Sequence, residues 1–219
     1  MWPIGVPARR STVALGFLGE SMKLIVVFFS LLLLSVSVSV SAETSIEGVK
    51  IGDGPSSLET LSLTLTNSEK NEGAEIRKYK TKTGNELSIT VQKDKVVYIE
   101  YDWSQDEESS KTPYDGFIFG KTALTEVRSR FGNNGFTHKR TAFVKSGNGL
   151  VTFNCYELVD SSSTIFVVVS KVVPKAGINA ANIADHFKLD ALILADPAYL
   201  DEIWGKEKAY DSAYKKYSF

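Results

Sequence analysis

Strict alternation of apolar and polar residues constrains this chain most. In Glu86–Gln92 (ELSITVQ), Leu87, Ile89 and Val91 fall on one side, and Lys95–Trp103 (KVVYIEYDW) repeats the pattern. A period of two sends side chains to two opposite faces, so each run reads as a strand with one buried face. Gly84-Asn85 and Lys93-Asp94 between the runs suit hairpin turns. EIRKYKTKT from Glu75 adds a third strand. Ahead of them, Asp53-Gly54-Pro55-Ser56-Ser57 reads as a turn opening a helix through Leu58 and Leu61.

The same order then recurs. Gly116–Gly120 precedes a helix over Ala123–Phe131, where Leu124, Val127 and Phe131 share a face and Gly132 suits the C-cap. FTHKRTAFVK from Phe136, GLVTFNCYELV from Gly149 and TIFVVVSKVV from Thr164 read as three more strands. The expected fold is therefore α+β: two similar units of one helix plus a three-stranded antiparallel sheet, followed by a helical C-terminal tail. The units span 43–103 and 116–173, an acidic linker spans 104–115, and the tail spans 174–219. In the tail, Asn179 caps a helix carrying Ile183 and Phe187. Asp196-Pro197 is an N-cap and N1 pair for a helix with Leu200, Ile203 and Trp204. Tyr210, Tyr214 and Tyr217 then recur at i, i+4, i+7.

Ile118–Gly132 (IFGKTALTEVRSRFG) resembles the Gly, helix, apolar-Gly segment of the small outer-membrane assembly lipoprotein family. Tandem copies of such a unit are similar to the secreted beta-lactamase inhibitor protein group. The resemblance implies helices packed on an antiparallel sheet in a non-enzymatic protein that binds other proteins. The lipoprotein cysteine is missing here, so a lipid anchor does not carry over, and no contact residues are transferred.

The N-terminus reads as an address. Met22-Lys23 precedes a long apolar run that ends in Val40-Ser41-Ala42, the pattern of a signal peptide over 22–42, with retention as a membrane anchor as the alternative. Residues 1–21 read as a translated leader upstream of a start at Met22, the alternative start being Met1. Nine Asn follow Ala42 and none lies in an N-x-Ser/Thr sequon, which agrees with a bacterial source. The expected location is periplasmic or secreted, with no membrane association once the signal is cleaved.

Little catalytic chemistry is visible. Two His, one Cys and no HExxH exclude the common zinc patterns, and no metal or cofactor is expected. No GxSxG elbow or phosphate-binding glycine loop occurs. Net charge is −1 for the chain and −3 beyond Ala42, against nucleic acid as a partner. His138 reads as an exposed strand residue, His186 as a solvated helix position and Cys155 as a buried packing residue. Asp102, Asp106, Glu107 and Glu108 read as a solvated acidic loop. Tyr210, Tyr214, Tyr217 and terminal Phe219 form a candidate partner surface, or dock the tail on the sheet. The expected function is an exported, non-catalytic protein-binding accessory, inhibitor or immunity-type factor. A hydrolase using carboxylates and a small-ligand binder are the alternatives.

Overall fold

The computed structural model describes residues 44–218 except Glu72 and Ser109. The leader, the signal segment and Phe219 lie outside the described residues. Those described belong to one compact unit. Twelve strands are named: β1 (Thr64–Asn71), β2 (Ala74–Lys80), β3 (Glu86–Gln92), β4 (Lys95–Asp102), β5 (Ser110–Lys111), β6 (Ile118–Phe119), β7 (Phe136–His138), β8 (Val144–Ser146), β9 (Gly149–Glu157), β10 (Ile165–Val172), β11 (Lys188–Ala195) and β12 (Lys208–Tyr210). The helices are α1 (Leu124–Phe131), α2 (Ile183–His186) and α3 (Pro197–Trp204), with 3-10 turns at Pro55–Thr60 and Lys139–Thr141.

Ten strands form one antiparallel sheet in the order β1-β2-β3-β4-β11-β10-β9-β7-β12, with β8 on the side of β9; β5 and β6 pair separately. This corrects the expected architecture. There are not two three-stranded units with a helical tail; strands from both halves join edge to edge through β4 and β11. The strand that makes the junction, β11, lies in the segment expected to be helical. Its sequence KLDALILA is nearly all buried, so both faces are apolar and alternation is lost. A continuous apolar run of good helix formers cannot be told from a buried helix by period. The exposed TLTNSEKN of β1 escaped notice for the opposite reason, because neither face is buried.

The helix signals fared unevenly. α1 ends at Gly132 in the left-handed region (φ 67), where a glycine costs least. Leu124, Val127 and Phe131 are buried, each stabilising by about 2 kcal/mol. Asp196 caps α3, its carboxylate accepting from Ala198 N at 2.8 Å and Tyr199 N at 3.1 Å. The Asn179 segment gives only the single turn of α2. Beyond Gly205 the chain is β12 and turns rather than helix.

The sheet has two unlike faces. One buries Leu87, Ile89, Ile99, Phe166, Leu192 and their neighbours under α1. The other buries Val167, Val169, Cys155, Ile193 and Ala195 of β9–β11, with Leu200 and Trp204 of α3 packed on them. Over β2–β4 this second face turns polar, and that change positions the site below.

Candidate functional site

Along β4, Tyr98, Glu100 and Asp102 alternate with the buried Ile99 and Tyr101, so they share the second face. Ladder register brings further groups to them. Glu86 of β3 lies opposite Asp102, and Ser88 opposite Glu100. On β2, Lys78 lies opposite Ser88, its Nζ 3.0 Å from Glu86 Oε1. From the other side, the register shift in β10–β11 leaves Asp190 between the paired residues Leu189 and Ala191. Four carboxylates thus lie in a strip across three adjacent strands, with Lys78 at one end.

The electrostatics follow from burial and crowding. Glu100 and Asp102 are half-buried. Removal from water pushes the Asp102 carboxyl up to about 8, and Glu100, Glu86 and Asp190 reinforce the shift against Lys78. Burial likewise raises Glu100, opposed by the Tyr98 hydroxyl, which donates to its Oε2 at 3.1 Å. Burial raises Asp190 too, opposed by Lys171 and by Gln105, whose Nε2 donates to Oδ1 at 3.3 Å. Lys78 and Glu86 are about two-fifths exposed, so their pair neutralises little of this. Chemically, the strip holds a proton at Asp102 near neutral pH and attracts cations. Among the described residues, no group of three or more His, Cys, Asp or Glu is placed to hold a metal ion.

The acidic loop read from the sequence is divided. Asp102 ends β4, whereas Asp106 is exposed with a carboxylate oxygen 3.4 Å from Lys80 Nζ, and Glu107 and Glu108 are exposed. Residues 104–115 also pack on the domain: Tyr114 meets Phe166 edge-on at 5.1 Å.

The tyrosines do not form one stripe. Tyr210 is half exposed and lies 4.9 Å from Phe136, with Tyr214 edge-on to it at 4.8 Å. The Tyr214 hydroxyl accepts from Glu157 N at 3.3 Å. Tyr217 instead packs 4.0 Å from Phe131, in the core under α1. Without a helix to carry them, Tyr214 and Tyr217 join the cores of opposite sheet faces. Phe219 lies outside the described residues.

Cys155 is fully buried and free, and burial pushes its thiol up. His186 is exposed. His138 is not: it is fully buried between Phe136 and Trp204, with Nδ1 2.6 Å from Gly205 O. A carbonyl only accepts, so Nδ1 carries the proton. Nε2 is then a buried acceptor without a partner among the described residues. Its flanking Thr, Lys and Arg concealed this, since the burial comes from α3 and β12, more than sixty residues away.

No family model matches the chain, and no curated protein matches it. Among solved structures it is similar to an extracellular protein containing a SCP domain from Bacillus anthracis, with 12% identity over 81% of this chain and 54% of that one, at a TM-score of 0.44. It is also similar to a cysteine-rich secretory protein from Staphylococcus aureus, with 9% identity over 79% of this chain and 55% of that one, again at 0.44. The chain spans about half the length of these structures. The expected resemblance to the tandem-unit inhibitor and assembly-lipoprotein group is corrected by the topology: the described residues form one shared ten-stranded sheet rather than two helix-plus-sheet units.

Proposed function

We propose that this chain is an exported accessory protein without catalytic activity that docks a basic segment of a protein partner on the acidic strip. Export rests on Met22–Ala42. The observation that carries the docking is the set of half-buried carboxylates, Glu100, Asp102 and Asp190, all held above their ordinary range. A lysine or arginine from a partner relieves the repulsion and its charge offsets the cost of desolvation, so association draws on strain already present in the free protein. Anisotropy of a labelled arginine-rich peptide tests it, with a glutamate-rich peptide of equal length as control. Binding should weaken with salt and fall at least tenfold in an E100Q/D102N variant. Equal binding of both peptides, or no loss in the variant, overturns it.

One observation favours a second reading, a hydrolase using carboxylates: a proton-holding Asp102 stands beside Glu100 and Glu86. That reading requires turnover of a substrate, abolished by D102N, with peptide binding unaffected by the loss of turnover.

A further inference from the structure

Where β10 runs out and β11 begins, the sheet ends in a groove of about 490 Å³. It is lined by Lys171, Lys175, Lys188, Trp103, Asp190 and Ile178, among others. Three features of this groove agree. First, Lys171 and Lys188 are direct partners across the β10–β11 ladder. Partners in an antiparallel pair share a face, and like charges placed there repel. Both are only partly exposed, so water screens the repulsion incompletely. Lys175 adds a third cation from the loop after β10. Among the described residues none of the three lysines has an ion-pair partner within 4.0 Å. Second, Trp103 lines the groove, and its buried indole Nε1–H has no acceptor among the described residues. Its ring is held by the close approach of Gly120, where an added Cβ would stand 2.6 Å from it. Third, the groove joins these donors to apolar surface from Ile178, Val172 and Val173. Asp190 is the carboxylate of the lining; it accepts from Gln105 and attracts Lys171, which offsets part of the lysine repulsion.

We propose that this groove binds a small organic anion, its charged head between Lys171, Lys188 and Lys175 and its apolar body on Ile178, Val173 and the Trp103 ring. An anion offsets the cross-strand repulsion that Asp190 leaves uncancelled. The volume lies in the range of small-ligand sites. Asp190 borders both this groove and the acidic strip, but the variants that test them, K171Q/K188Q and E100Q/D102N, share no residue, so each activity is measured separately.

The test uses phenyl phosphate as the probe and benzyl alcohol as its neutral counterpart. Binding is followed by calorimetry and by the indole N–H resonance of Trp103 in a ¹⁵N-labelled sample, assigned with Trp103→Phe. Phenyl phosphate should bind at least tenfold tighter than benzyl alcohol and shift the Trp103 indole resonance. A K171Q/K188Q variant should lose at least tenfold in affinity. Without ligand, the same variant should melt no lower than the parent protein, since it removes a repulsive pair. Equal binding of the charged and neutral probes, an unmoved Trp103 resonance at saturation, or unchanged affinity in the folded double variant overturns the proposal.

Discussion

Stability should fall as pH rises from 6.5 to 8, and Asp102 should be the main cause. In the folded protein its carboxyl titrates near 8, against an ordinary value of 3.8. Between those values the folded state keeps a proton that the unfolded state has lost. Unfolding then releases a proton, so stability drops with pH at up to about 1.4 kcal/mol per pH unit. The shifts of Glu100 and Asp190 have the same sign and cannot cancel the trend. His138 acts oppositely, because burial lowers its pKa below the ordinary 6.5. Its unfolded form binds the extra proton, so its contribution rises with pH and is nearly complete about one unit above 6.5. From 6.5 upward His138 can add back only about 0.4 kcal/mol, so the carboxyl dominates and the expected net loss by pH 8 is roughly 1–2 kcal/mol. Urea unfolding followed by tryptophan fluorescence at the two pH values measures it. An Asp102→Asn variant should be nearly flat over this interval and more stable than the parent at pH 8. A parent protein equally stable at both values, or a variant with the parent's full slope, refutes the reasoning.

Below pH 6.5 His138 opposes the carboxyls, because its unfolded form binds a proton that the buried ring resists, so His138→Gln should gain stability relative to the parent as pH falls from 6.5 to 5 in thermal melts. Asp196→Ala removes the α3 cap and should cost about 1 kcal/mol, seen as a fall in Tm of roughly 2–4 °C. Gly120→Ala combines a positive φ of 74 with a Cβ 2.6 Å from Glu108 O, and should destabilise by more than about 2 kcal/mol in denaturant titration. Cys155 should resist a thiol reagent in the native protein and react at once in urea.

Strands half-covered by the core were legible because one face is apolar and the other is not. Leu87, Ile89 and Ile99 announced β3 and β4 in this way. β11 was not legible, because burial on both faces erases the alternation by which strands are recognised. The acidic strip was half visible: Glu100 and Asp102 stand two apart within a strand, so their shared face could be read. That Glu86 and Asp190 join them depends on strand order and a ladder irregularity, which no local pattern encodes. The tyrosine spacing misled for a related reason. Intervals of four and three fit a helix, yet Gly205 and the turns around Asp211 lead the tail over both sides of the sheet.

The place of β11 also sets an order of assembly. It is the last long strand among the described residues and stands between β4 and β10. While a ribosome is still making residues 188–195, Tyr98–Asp102 has an open edge and the two halves of the sheet have no strand ladder to join them. An open edge is where wrong pairings start, and pairings so distant along the chain form slowly. A nascent chain kept unfinished in this way stays loose until residues 188–195 have been made. Truncation before Lys188 should therefore remove the keystone of the sheet rather than trim its end.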